Sequence, residues 1–282
     1  MRAVAIVLAL LLAPLAMAQS VPAPSEQAAD AQLVFPASVS QGALVLGRIP
    51  ADARARFDGH ELRPTPYGTV VFGVGRNQTG PLQVEVTLAD GSRQVRQIAV
   101  TARDWPTERI NGVPPKTVNP PPAIAERIKR EQAEVTAARE RDDDRADFAQ
   151  TFIWPVQGRI SGRFGNARVY NGQPSPSGHS GMDIAVPTGT PVKAPAAGII
   201  TFADADLYLT GGTVLLDHGH GVSSNFLHLS RIDVKVGDRV QQGQVIGAVG
   251  ATGRATGPHL HWGMSWFTIR IDPLLVLERG SQ

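Results

Sequence analysis

The chain has 282 residues, 42% of them hydrophobic and 18% charged, which is the balance of a folded protein with room for one large domain or two ordinary ones. Its 27 Lys and Arg against 25 Asp and Glu leave a net charge of +2, too little to argue for a nucleic-acid partner, and no basic run supplies the difference. There is no cysteine, which excludes disulfides, thiolate zinc sites, iron–sulfur clusters and a lipid-modified N-terminal cysteine.

The first stretch, MRAVAIVLALLLAPLAMAQS, has the form of a secretory signal peptide. Arg2 is its positive end, and Val4 to Leu15 is an apolar run interrupted by Pro14. That run is shorter than the ~20 residues a membrane-spanning helix needs. Ala16-Met17-Ala18 is a small-x-small cleavage signal, so residues 1–18 are expected to be removed after Ala18 and the protein to be periplasmic or secreted. No later apolar stretch is long enough to span a membrane. Residues 19–31, rich in Ala, Pro, Ser and Gln, read as a flexible lead.

Residues 32–104 alternate short apolar runs with turn signals, a pattern that predicts a small antiparallel β-sandwich. Asp90-Gly91 between two alternating segments marks a hairpin. Residues 105–150 form a connecting region. INGVPPKTVNPPP predicts an extended Pro-rich piece, and residues 123–148 a charged helix ending in RDDDRAD. Glu126 with Arg130, and Arg127 with Glu131, are i,i+4 pairs, while Ile124, Ile128 and Val135 give only a thin apolar stripe. This predicts a solvated connector. A second reading is an arm that packs on the groove of the following domain and masks it.

From Thr151 the strands return, and no helix is visible to the end of the chain. Residues 151–282 are expected to be an all-β domain. The whole fold is therefore mainly β: a sandwich, a charged helical linker and a second β-domain.

Six of the seven histidines lie between His179 and His261. GHSGMD places His179 and Asp183 in an irregular turn entering a strand. GPHLHWG places His259 and His261 at i and i+2, on one face of a strand. Two imidazoles and a carboxylate, with a fourth position open, describe a catalytic zinc site, in which either histidine of HLH serves as the third ligand. The remaining histidine and His228 of NFLHLS are then available for proton transfer and oxyanion stabilisation. His218 and His220, in the Gly-rich DHGHG, are expected to be exposed or structural. Arg163 and Asn171 precede the first ligand and are candidates for the groove edge, and Arg254 is a candidate contact for a substrate carboxylate.

GHSGMD, NFLHLS and TGPHLHWG, with the intervening VKVGDRVQQGQVIGAVG, closely resemble the lysostaphin-type zinc metallopeptidases, and the order and spacing match over residues 151–273. The resemblance implies a two-layer antiparallel β-sheet domain with a metal in a groove. It implies His179, Asp183 and His261 as ligands of one zinc ion per chain, with His228 and His259 as unliganded catalytic histidines. It implies an endopeptidase that hydrolyses peptide cross-links of bacterial peptidoglycan through a zinc-activated water. The family often carries Tyr two residues before the histidine of HLS, where this chain has Phe226. Degenerate members act without catalysis, so the alternative is an envelope adaptor that activates another cell-wall hydrolase. All five site residues are present, which favours the enzyme. VKVGDRVQQGQVIG is also similar to lipoyl-type and phosphocarrier hairpins, but no lysine occupies a tip between its strands, and a signal peptide does not suit a cytoplasmic carrier. The expected partners are peptidoglycan and an envelope regulator, with no nucleic acid, and the expected state is a monomer.

Overall fold

The structure is a computed structural model that describes residues 33–279. The signal-type leader and the flexible lead, residues 1–18 and 19–31, lie outside the described residues.

The N-terminal part contains a five-stranded sheet in the order Ser38–Ser40, Arg93–Thr101, Leu82–Thr87, Arg54–Phe57, His60–Leu62, and a two-stranded sheet of Leu44–Arg48 with Thr69–Gly73. Period-2 patterning holds: Leu82, Val84 and Val86 are buried and the residues between them exposed. The turn at Asp90-Gly91 forms as its sequence predicts. The Asp90 carboxylate accepts from the Ser92 N–H at 2.8 Å, and Gly91 takes φ 84°, which suits glycine. One pairing departs from the antiparallel expectation. Ser38–Ser40 runs parallel to Arg93–Thr101, because the chain passes through the rest of this region before returning beside its first strand.

The apolar core continues from these sheets into the C-terminal half. Phe57 lies 4.3 Å from Phe72 and 6.1 Å from Trp266, ring centre to centre. His60 stacks on Phe267 at 5.0 Å. Gly73 permits this approach, since a Cβ there would stand 2.8 Å from the Trp266 Cβ. His60, the histidine outside the motif cluster, is thus a packing residue between the two halves.

The connecting region differs most from the expectation. Thr107–Ile110 is a strand that pairs in parallel with Ala167–Tyr170 of the C-terminal half. After a short helical turn, Pro115–Val118, the long helix runs Pro122–Arg139 and stops nine residues before the expected end at 148. Asp142 to Asp144 disfavour helix interiors, and their neighbourhood is committed elsewhere. Arg63 pairs with Asp142 at 2.6 Å and Arg141 with Asp143 at 2.7 Å, while the Asp143 carbonyl accepts from the His220 N–H. The long helix is docked rather than solvated. Arg127 holds Glu131 at 2.6 Å, and the other Glu131 oxygen accepts from the Tyr208 N–H at 2.8 Å. Beyond the helix, Asp147 accepts from Arg239 at 2.6 Å, and Phe148 is fully buried with its N–H donating to the His218 carbonyl.

The C-terminal half is built on an antiparallel sheet in the order Arg239–Val240, Gly198–Leu207, Gly211–Asp217, Val222–Leu229, Leu260–Trp266, Met182–Ala185, Arg159–Gly162, with Ile269–Ile271 also paired to Leu260–Trp266. A second, three-stranded sheet of Pro191–Lys193, Val245–Ala248 and Arg231–Ile232 contributes Val192 and Ile246 to the core that holds Ile200 and Leu229. This is the expected two-layer β-domain. The expectation of no helix here is corrected by Pro273–Glu278, whose cap Asp272 accepts from the Leu274 N–H at 2.9 Å. Six residues are too few to show helical periodicity, although Asp-Pro is a start signal.

Phe148 ties the connecting region to the C-terminal sheet, so Phe148→Ala is expected to destabilise the protein by roughly 3–5 kcal/mol. Chemical denaturation should show a lowered midpoint in a single transition. An unchanged midpoint would mean that this segment is not part of the core.

Candidate metal centre and its groove

Strand Leu260–Trp266 sends Leu260, Trp262, Met264 and Trp266 into the core, which leaves His261 on the opposite face. His261 pairs with Asp183 across the neighbouring strand and with Leu227 on the other side. The residue after Leu227 breaks the alternation. Strand Val222–Leu229 carries a bulge opposite Gly212–Val214, and His228 there takes φ 64°. A regular strand would turn His228 away from the face Leu227 occupies. The bulge instead brings its ring to 4.8 Å from His259 and 6.3 Å from His261. A left-handed non-glycine residue costs about 1–3 kcal/mol, the kind of strain found at functional sites.

His179, Asp183 and His261 converge. His179 Nε2 is 3.1 Å from Asp183 Oδ1 and 3.0 Å from His261 Nδ1, and His261 Nδ1 is 2.9 Å from Asp183 Oδ1. Ligand atoms around a tetrahedral ion with bonds of ~2.0–2.1 Å stand about 3.3 Å apart, so this triangle is within a few tenths of an ångström of such a site. Its protonation fits as well. His179 Nδ1 lies 3.0 Å from the Arg163 carbonyl, which only accepts, so a neutral His179 has its proton on Nδ1 and a lone pair on Nε2. Burial pushes the Asp183 carboxyl up, but the His179 and His261 imidazoles beside it outweigh that and hold Asp183 well below the usual range. Burial pushes His261 down to about 4. The donor set is two imidazoles and one carboxylate facing a common point.

Two glycines make room for the triangle. A Cβ on Gly181 would stand 2.8 Å from His261 Nε2, and one on Gly162 would stand 2.4 Å from both Asp183 Oδ2 and Arg168 Nη2. Those last two atoms are themselves paired at 2.9 Å. Arg168 in turn reaches Glu108 at 2.8 Å, and Glu108 also accepts from Asn166 at 2.7 Å. A strand of the connecting region therefore braces the carboxylate through one arginine. Sequence reasoning missed Arg168 and Glu108, and no local pattern around either marks them.

His228 and His259 stand beside the triangle with matching tautomers. His228 Nδ1 faces the Thr252 carbonyl at 2.8 Å and His259 Nδ1 faces the Gly257 carbonyl at 2.9 Å, which leaves a lone pair on each Nε2 when neutral. His259 Nε2 is 3.9 Å from Asp183 Oδ1. Burial, with His259 and His261 nearby, pushes His228 down to about 3, so it is neutral at working pH.

The other sequence candidates separate clearly. His218 and His220 are buried rather than exposed, and His218 bridges the Ala197 carbonyl and the Ser224 hydroxyl at 2.8 and 2.9 Å. Arg163 contributes its backbone carbonyl to His179 while its side chain stays outside the groove. Asn171 clamps the connecting region at Gly112 and Val113 and does not line the groove. Arg254 does line it, with its guanidinium 4.3 Å above the Tyr170 ring. Phe226 is fully buried opposite Trp262 in the core, so a hydroxyl there would not meet the histidines.

All five residues line one groove with a cavity volume of about 1190 Å³, and the long helix forms part of its wall through Ile128, Gln132, Val135 and Arg139. A His–Asp–His centre flanked by two further imidazoles in a groove is the arrangement of a metallopeptidase. Comparison with known proteins identifies which one. The profile of Peptidase family M23 matches residues 177–273. A crystal structure of a candidate peptidase M23 from Pseudomonas aeruginosa is 35% identical, with TM-score 0.65, over 84% of this chain and 94% of that one. The chain belongs to Peptidase family M23. The peptidoglycan DD-endopeptidase ShyA of Vibrio cholerae is 41% identical over 104 residues, 37% of this chain and 24% of that protein. The DD-carboxypeptidase/endopeptidase Mpg of Neisseria meningitidis is 48% identical over 84 residues, 30% of this chain and 19% of that protein. The chain thus spans about a quarter or less of these curated relatives.

Arg168→Met should keep the fold but weaken binding of a divalent transition metal by about 10–100-fold, as loss of an outer-shell partner does. Chelator competition measures it. Affinity equal to wild type would remove the bracing role from Arg168.

Proposed function

We propose that this protein is a zinc endopeptidase that hydrolyses peptide cross-links of bacterial peptidoglycan outside the cytoplasm. The observation that carries the reading is the coincidence in one groove of three donor atoms within 3.1 Å of one another and two further imidazoles whose Nδ1 atoms face backbone carbonyls. His179 Nε2, Asp183 Oδ1 and His261 Nδ1 would hold one zinc ion, since a cysteine-free set of nitrogen and carboxylate donors suits it. When bound, zinc supplies Lewis-acid activation of a water molecule and of the scissile carbonyl.

The remaining steps belong to the chain. The groove orients an extended peptide along the sheet floor past His261. His228, neutral and buried, accepts or donates a proton at Nε2. His259 Nε2 faces the same point, and when it carries a proton it donates to the charge that develops on the carbonyl oxygen. Arg168 keeps Asp183 oriented and ionised. The substrate class is supported by the printed names of ShyA and Mpg. The location is supported by the signal-type leader. Among the described residues, no helix is long and apolar enough to cross a membrane. A non-catalytic adaptor does not explain why the bulge at His228 is kept beside a complete metal triangle.

Purified sacculi treated with the zinc-loaded protein should release shortened cross-linked peptides, identified by mass spectrometry. His228→Ala should retain one zinc per chain and lose roughly 10²-fold or more in turnover. Loss of zinc in that variant would show that His228 is a ligand, and intact sacculi with the wild type would reject the hydrolase.

A further inference from the structure

Charge is unevenly placed in this molecule. Seven arginines and three carboxylates line the groove, although the whole chain has only two more basic than acidic side chains. The three carboxylates are engaged: Asp183 in the triangle, Glu108 by Arg168 and Asn166, and Glu131 by Arg127 and the Tyr208 N–H. Among the described residues only Arg168 of the seven has a carboxylate partner, and of the other six Arg139 is the one that is buried.

Arg139 is the last residue of the long helix and only 8% exposed, and its Nε has no hydrogen-bond partner among the described residues. The charge that acts on it is Arg270, of the same sign. Arg270, on strand Ile269–Ile271, gives one N–H to the neutral Asn225 side chain at 3.3 Å. Burial lowers Arg139 to about 9, with Arg270 adding to the shift, and burial lowers Arg270 to about 10. Both remain cationic at neutral pH. Arg139 is out of water and Arg270 beside it is partly buried, and like charges so placed are costly unless an anion completes them. Arginine forks match the geometry of a carboxylate.

Strand register places this pair relative to the metal triangle. Leu227 pairs with His261, and Asn225, two residues along, pairs with Gly263. Two strand residues span about 7 Å, close to two residues of an extended peptide lying on the floor. Gly263 keeps that floor low, since a Cβ there would stand 2.7 Å from the Asn225 side-chain oxygen.

We propose that Arg139 and Arg270 form a carboxylate-binding subsite that holds a free carboxylate of the peptide substrate about two residues from the bond that is cut. The proposal rests on the peptidase reading above. It makes the long helix, which precedes the catalytic sheet in the chain, one half of a substrate subsite.

The test is calorimetric titration of the zinc-loaded full chain with N-acetyl-Glu-Ala-Ala. The peptide is offered with both carboxylates free, with the C-terminus amidated, and with Gln in place of Glu. One of the two changes should weaken binding about tenfold or more, and it identifies whether the carboxylate is terminal or on a side chain. The Arg139→Gln/Arg270→Gln double variant should lose that preference. A preference that survives in the double variant belongs to the metal and overturns the subsite, as does its absence in the wild type. Should the double variant fail to fold, a crystal structure of the wild type with the free peptide decides. A carboxylate on the two guanidiniums supports the subsite, and one on the metal alone overturns it. Hydrolysis of sacculi is read separately, so arginine-dependent binding without hydrolysis would fault the peptidase reading and not the subsite.

Discussion

Three lone-pair atoms, on His179, Asp183 and His261, stand within 3.1 Å of one another in the interior of a sheet. Such a cluster is unfavourable without a cation, and much of the surrounding structure is arranged to keep it in place. The Arg163 carbonyl fixes the tautomer of His179. Arg168 occupies the second oxygen of Asp183, and Glu108 orients Arg168. Gly162 and Gly181 leave out the Cβ atoms that would collide with these side chains. Sheet pairing then sets His261 directly opposite Asp183. Strand register therefore sets Asp183 and His261, while His179 comes from the turn before Met182–Ala185 and is held there by the Asn166 and Arg163 carbonyls.

The connecting region belongs to this arrangement. A linker that merely joined two domains would not place Glu108 behind the centre, Arg139 in the groove wall and Phe148 in the core. The core that runs from Phe72 through Phe57 to Trp266 fixes the N-terminal sheets against the back of the strand that carries His261. The Glu108–Arg168 pair and the docked helix then couple the orientation of that half to the shape of the groove.

What the sequence disclosed was local. Alternation in LQVEVT and the Asp90-Gly91 turn each depend on residues within one element and are seen in the structure, while of the HLH histidines His261 lies on strand Leu260–Trp266 and His259 just before it, bridged to Gly250. The convergence of His179, Asp183 and His261 became legible only through the resemblance, because spacing alone left either HLH histidine eligible. Glu108 and Arg168 were not legible, since they meet across 60 residues through a parallel strand pair that no hydrophobic pattern announces. The turn of His228 toward the site depends on a bulge, which shifts side chains between faces without a marker in composition. The helix is shorter and less exposed than its sequence predicts for a related reason. Its docking uses Arg127, Glu131 and Arg139, polar side chains that a count of apolar positions treats as solvent-facing. His218 shows the reverse case, a polar residue in a glycine-rich turn that is buried because the Ala197 carbonyl and the Ser224 hydroxyl satisfy its ring.

Anomalous diffraction from crystals of the full chain, collected on both sides of the zinc absorption edge, tests the proposed ligand atoms most directly. One zinc peak per chain is expected, at about 2.0–2.2 Å from His179 Nε2, Asp183 Oδ1 and His261 Nδ1, with His228 and His259 uncoordinated. A peak bonded to His228 or His259, or a zinc-loaded chain with no peak at the triangle, would contradict this ligand assignment.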